Sequence, residues 1–220
     1  MVTVLDLTRG QVRDIRALED LPRLRVLKLR SIPATDLSVL ARLKSLRKLD
    51  LSHMQITDVS FLTEMTQLES LNLSNTRVRD FSPLTELVHL KELSLANTPV
   101  EELGFLKKLW RLETLDLSET RAISYRVIGG LKRLTKLLLT RTSAAAGETL
   151  TASSRLRHLD LKGSGVKNLQ RIAAVTGLTY LNLADTPVKD TSPLKRLANL
   201  AYLNLSGTKV KSLKGLKPLE

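Results

Sequence analysis

Three histidines, His53, His89 and His158, and a spaced series of carboxylates are the side chains that would carry acid–base or metal chemistry if the fold gathered them. Asp14, Asp36, Asp58, Asp80, Glu102 and Asp190 occupy one column of a 22-residue period. Stacked at strand separation, roughly 5 Å, such a column invites calcium or acid–base chemistry. Asp116 and Asp160 share another column with Leu138 between them, which puts them roughly 10 Å apart at strand spacing, a gap that glycosidase carboxylates also span. The rest of the sequence argues against these readings. The histidines fall at different offsets within the period, so none pairs with another, and Ser124, Ala146 and Asn168 interrupt the carboxylate column. There is no cysteine, which removes thiol nucleophiles, disulfides and cysteine-ligated metals. No Gly-rich phosphate loop, nucleophile elbow or Ser-His-Asp set is found. The expectation is a non-enzyme without cofactor or metal. The Asp column then reads as capping, set just before a helical return where carboxylates accept orphan backbone N–H groups. Ser82-Pro83 and Ser192-Pro193 read as a cap followed by a proline at a first helical position.

The elements that must position these side chains follow from the period itself. Leu-x-Leu recurs from Leu5/Leu7 to Leu203/Leu205, nine strides of 22 residues without an insertion or deletion. Alternation of period two around each pair predicts a short strand. Leucines such as Leu84, Leu87 and Leu90, three residues apart, predict a helix or 3₁₀ turn with one buried face. A single strand–turn–return unit cannot bury its own apolar side, so the units stack and share a core. With 42% hydrophobic residues but only 3 Phe, 3 Tyr and 1 Trp, that core is aliphatic.

Two segments show the pattern at its fullest: Leu71-Asn-Leu-Ser-Asn-Thr-Arg-Val-Arg-Asp-Phe-Ser-Pro-Leu84 and Leu181-Asn-Leu-Ala-Asp-Thr-Pro-Val-Lys-Asp-Thr-Ser-Pro-Leu194. They resemble the leucine-rich repeat family, in its 22-residue subclass found in internalins and in the leucine-rich regulatory subunit of protein phosphatase 1. The resemblance covers residues 1–220 as one domain of ten repeats, the last truncated. It implies an α/β solenoid: a curved array with a parallel sheet on the concave face and short helical or 3₁₀ returns on the convex face. For function it implies a recognition scaffold and no particular partner. The chain departs from the family where Asn is usual, carrying Thr76, Thr98, Thr120, Thr142, Ser164, Thr186 and Thr208, preceded by Gly10, Ile32 and Met54. Buried hydroxyls bonding the backbone of the next repeat would replace an Asn ladder.

With each Leu-x-Leu facing inward, the residues before, between and after it face out. These trios contribute neither to the core nor to the turns, which leaves them free to encode a partner. Tyr180 and Tyr202 are neighbours in one outward column, the profile of interface anchors. Beside them run His158, Asp160, Lys162, Lys136 and an exposed Leu138, with Asn182, Asn204 and Asp116 completing the expected concave contact set. The expected partner is another protein, and no small-molecule substrate is expected. Net charge is +13, and it is uneven: residues 1–110 net +2 and residues 111–220 net +11. Because the trios balance, the excess is expected on loops and the convex side, in runs such as Lys132-Arg133, Lys195-Arg196 and Lys209 through Lys217. Such a field attracts nucleic acid or anionic membrane surface without specificity. A purely structural, assembling role is the third reading. Lys107-Lys-Leu-Trp110-Arg111 is the single basic–aromatic cluster on the return side. Trp110 is expected to lie over the turn, with a partner contact as its secondary reading.

The first residues lack the basic and apolar regions of a signal peptide, and no 18-residue apolar run exists. The compartment stays open, with the cytoplasm slightly favoured. Ser143 to Ser154 replace the usual Val, Asp and Leu with small residues, so that segment is expected to pack loosely and exchange its amides faster than residues 76–88. No polar end cap is visible, which fits a segment of a longer protein better than a stacked end face.

Overall fold

The computed structural model describes residues 2–143, 155–213 and 216. Each Leu-x-Leu centres or follows a three-residue strand: β1 (Val4–Asp6), β2 (Val26–Lys28), β3 (Lys48–Asp50), β4 (Ser70–Asn72), β5 (Glu92–Ser94), β6 (Thr114–Asp116), β7 (Lys136–Leu138), β8 (His158–Asp160), β9 (Tyr180–Asn182) and β10 (Tyr202–Asn204). They form one parallel sheet in chain order. The register is the sequence period: Leu5 pairs with Leu27, Leu27 with Leu49, and so to Leu181 with Leu203. Both leucines of a pair are withdrawn from water, as Leu27 and Leu29 show, while the residue between them faces out.

Strands stay short because the backbone turns immediately after them. One residue per repeat sits in the left-handed region: Arg9, Ser31, His53, Asn75, Asn97, Glu119, Arg141, Gly163, Asp185 and Gly207, with φ from 52° to 68°. Such a residue costs roughly 1–2 kcal/mol when it carries a side chain. The turn holds because its amide donates to the next repeat, as in Asn75 N–H to the Ala96 carbonyl at 2.9 Å. Only two of the ten positions are glycine; at Gly207 a Cβ would meet Asp185 Oδ1 at 2.2 Å.

The returns are 3₁₀ turns, for example Ser60–Glu64, Ser82–Glu86, Gly104–Lys108 and Ser192–Arg196. Leucines three apart match a helix of three residues per turn, in which every third side chain eclipses onto one face. The turn covers less than the leucine spacing predicts. Leu84 lies inside it, Leu87 closes it, and Leu90 belongs to the following turn, yet i→i+3 bonds of 2.9–3.1 Å run through all three. Leu84, Leu87 and Leu90 are fully buried.

The threonine column corrects an expectation. Thr76 Oγ1 donates to the Leu73 carbonyl at 2.7 Å, and Thr98, Thr120, Thr142, Thr186 and Thr208 repeat the bond within their own repeats. The single hydroxyl proton goes to a carbonyl of the same repeat, so the side chain donates nothing to the next one. It closes the turn that the left-handed residue opens. Upstream, Ile32 and Met54 fill the same place as buried apolar plugs. The loosely packed segment expected at residues 143–154 lies, from residue 144 on, outside the described residues. No helix among the described residues is long and apolar enough to cross a membrane.

Candidate partner-binding face

The aspartates of the carboxylate column are turn anchors. Asp80 Oδ1 accepts the Ser82 N–H at 2.8 Å, and Asp14, Asp36, Asp58 and Asp190 accept the equivalent amide. The amide belongs to the first residue of each 3₁₀ turn, so the aspartate acts from two residues ahead of it. The serines do not cap, contrary to the sequence expectation. Ser60 and Ser192 hydroxyls donate to Asp58 and Asp190 instead. Where the column lacks a carboxylate, Asn168 Oδ1 accepts Gln170 N–H at 2.8 Å and Ser124 Oγ accepts Arg126 N–H at 3.5 Å. A neutral side chain fills the role, as capping requires and a metal ladder does not. These bonds favour the ionised acids. The Arg16 guanidinium and amide hold Asp14 at about 2, and the Ser82 amide and hydroxyl lower Asp80. Among the described residues no three His, Asp or Glu side chains are arranged to hold a metal ion.

On the outward sheet face the structure separates the three columns of the trios. The first, from Lys136 through His158 and Tyr180 to Tyr202, follows the strand pairing of β7 to β10. His158 stacks on Tyr180 with centroids 3.9 Å apart and planes 6° apart, and Tyr180 on Tyr202 at 4.4 Å and 3°. The expected tyrosine pair is therefore a ladder of three rings. It is packed more closely than the roughly 4.8 Å between strands, with ring edges toward solvent and Tyr202 still 46% exposed. Burial, then the Lys136 charge, lowers the His158 pKa, so the ring is neutral near pH 7. Burial, then the negative charge of Asp160, raises that of Tyr180.

The middle column does something the sequence reading denied it. Asp6, Asp50, Asn72, Asp116, Asp160, Asn182 and Asn204 each accept, through Oδ1, the backbone N–H two residues on, at 2.9–3.1 Å. They end the strand and lead the chain into the left-handed turn. A short side chain with an oxygen three bonds from Cα makes this bond, which is why Asp and Asn dominate here. Asn182 is buried, and its Nδ2 donates to Asp160 Oδ2 at 3.1 Å. It orients Asp160 and offers nothing to a partner. Thr140 Oγ1 and the Lys162 amide donate to Asp160 Oδ1, while Ser94 Oγ donates to Asp116 Oδ2 at 3.3 Å. Leu138, expected to be exposed, is half-buried between the registers of Asp116 and Asp160. Lys136 and Lys162 are exposed, and Lys162 lies 3.9 Å from Asp185.

One grouping escaped the sequence reading. Across the left-handed turns, Arg30 and Asn75 both approach His53 Nε2, at 3.2 and 3.3 Å, and Asn97 Nδ2 donates to Asn75 Oδ1 at 2.8 Å. Side chains 22 residues apart carry most of this chain, so the period held the signal. The basic–aromatic cluster read from the sequence is present and gains a member from the next repeat: Trp110 is 48% exposed, with the Arg111 and Arg133 guanidiniums against its ring.

A parallel sheet in chain order, 3₁₀ returns and a 22-residue register define a solenoid of stacked repeats. Residues 44–86 match the family model for leucine rich repeats (2 copies). Among solved structures the chain is similar to an internalin (inlF) from Listeria monocytogenes, with a TM-score of 0.85 at 24% identity over 97% of this chain and 70% of that one. A leucine-rich-repeat protein of Leptospira interrogans gives 0.77 at 19% identity, over 97% and 62% of the two chains. The leucine-rich-repeat ectodomain of the plant receptor kinase GASSHO1/SCHENGEN3 from Arabidopsis thaliana, solved with CASPARIAN STRIP INTEGRITY FACTOR 2, gives 0.64 at 17% identity over 94% and 30%. At these identities the likeness is one of fold. No curated protein matches significantly.

Proposed function

We propose that this chain is a non-enzymatic recognition module that binds another protein on the open face of its sheet, the side the family resemblance makes concave. The His158–Tyr180–Tyr202 ladder carries this reading. Three rings fixed by one another present a rigid edge with polar tips, so little side-chain entropy is lost when a partner covers it. Lys136 and Lys162 flank the ladder with cations, and Asp160, held by three donors, supplies an oriented negative charge. Such mixed charges set orientation more than affinity. The complex of the Arabidopsis ectodomain with its factor supports protein recognition as a use of the fold.

The test is a pull-down from nuclease-treated lysate at moderate salt, wild type against the Tyr180→Ala/Tyr202→Ala double variant. A discrete protein retained by the wild type and lost from the variant is the expected result. Identical retention by both would show that the rings only cover the sheet. The second reading, non-specific anion binding, rests on the net +11 of residues 111–220. It predicts binding that collapses as salt rises, on the order of a thousandfold or more between about 50 and 200 mM for several phosphate contacts, and that ignores the tyrosines.

A further inference from the structure

Trp110 and Val88 stand one repeat apart in the turns that lead into β6 and β5, 48% and 37% exposed. The guanidinium carbons of Arg111 and Arg133 lie 4.8 and 5.1 Å from the Trp110 ring centroid. Arg111 is fixed further, since its Nη1 donates to His89 Nδ1 at 2.9 Å. Arginine has donors only, so the histidine nitrogen is the acceptor. Arg111 Nε is buried without a hydrogen-bond partner. Arg155 follows in the column of Arg111 and Arg133, and Lys107 and Lys108 end the 3₁₀ turn just ahead of Trp110.

These five bases enter no ion pair among the described residues. Elsewhere the stack supplies the acid one repeat back: Lys28 meets Asp6, Lys91 meets Glu69 and Arg141 meets Glu119, at 2.6–3.1 Å. In the arginine column the residue one repeat back from Arg111 is His89, and from Arg133 it is Arg111. The flank thus gathers cations without a built-in counter-charge, beside an exposed indole.

We propose that this flank docks an acidic helical segment of a partner protein, with its carboxylates on Arg111 and Arg133 and an apolar side chain against Val88 and Trp110. Positions one repeat apart stand roughly 5 Å from each other. Carboxylates at i and i+4 of a helix stand about 5–6 Å apart at Cβ, so two successive arginines meet two successive acids. Arg133, exposed beside the indole, keeps an N–H edge for a bidentate carboxylate bond, while Arg111, with Nε buried and Nη1 on His89, offers Nη2. Nucleic acid fits less well, because base stacking needs ring surface that the guanidiniums occupy. The flank includes no residue of the ring ladder, so this proposal and the sheet-face reading fail separately.

Trp110 is the chain's single tryptophan, so its emission reports on the site. The 220-residue chain is titrated with a synthetic helical peptide bearing Glu at i and i+4 with a Leu between them, and separately with a single-stranded oligonucleotide of equal charge. A saturable change in emission with the peptide is expected. By anisotropy of the labelled peptide, Arg111→Gln/Arg133→Gln should bind about tenfold more weakly, and Tyr180→Ala/Tyr202→Ala as the wild type does. Should circular dichroism show that Arg111→Gln disturbs the fold, the exposed Arg133→Gln alone carries the test, with a loss of about threefold. Peptide binding that does not saturate, wild-type affinity in the arginine variants, or tighter binding of the oligonucleotide overturns the proposal.

Discussion

Tyr125 is fully buried, and its hydroxyl has no hydrogen-bond partner among the described residues. The ring occupies the place that Phe81 and Leu103 fill in the two preceding repeats. An orphan buried hydroxyl keeps its desolvation cost without return. Tyr125→Phe is therefore expected to raise stability by about 1 kcal/mol, read as a higher urea midpoint at unchanged slope. The capping aspartates yield a second expectation. The folded state lowers the pKa of Asp14, Asp36, Asp80 and Asp190 below the ordinary 3.8. Stability from these groups is present above that value and is lost as pH falls through the lowered ones. Asp80→Asn keeps the Oδ1 acceptor, as Asn168 does, so thermal unfolding at neutral pH should stay near wild type while the acid-side loss shrinks. Asp80→Ala should lower the midpoint at neutral pH.

The elements were legible where spacing equals geometry. Leu-x-Leu every 22 residues dictates both the strands and their register, and leucines three apart call for a helix or 3₁₀ return, of which the structure takes the 3₁₀. What the sequence hid is how far one polar atom reaches. Thr76 reads equally well as bonding forward or within its own repeat, and only the turn geometry decides for Leu73. Asn182 likewise carries a surface residue's polarity in a buried place. Of the candidate site, the tyrosine column was plain from residue spacing, whereas the stacking of His158 on it depends on rotamers. That stack titrates. Burial, and after it Lys136, draws the His158 pKa below 6.5, so the unfolded chain takes up the proton first and stability falls as pH drops through that range. His158→Phe keeps a ring on Tyr180 and should abolish this component, seen as a smaller difference between urea midpoints at about pH 7.5 and about pH 5.5.

Across the whole molecule every strand pairs only with its neighbours in sequence. Stability in such a stack is a sum of repeat and nearest-neighbour contributions, with no long-range closure. The bonds from the left-handed residues to the next repeat share one offset, as in Asn75 to Ala96, Asn97 to Ser118 and Glu119 to Thr140. The left-handed residue at the head of each turn falls at the same place in all ten repeats. Excision or duplication of one 22-residue unit therefore leaves every donor facing an equivalent carbonyl. Residues 76–97 could be lost by recombination, and Asn75 would bond Ser118 where it now bonds Ala96. The molecule is in this sense modular at the level of the gene. Its length, and with it the distance between the ring ladder and the arginine flank, is free to change by whole units while each bond keeps its form.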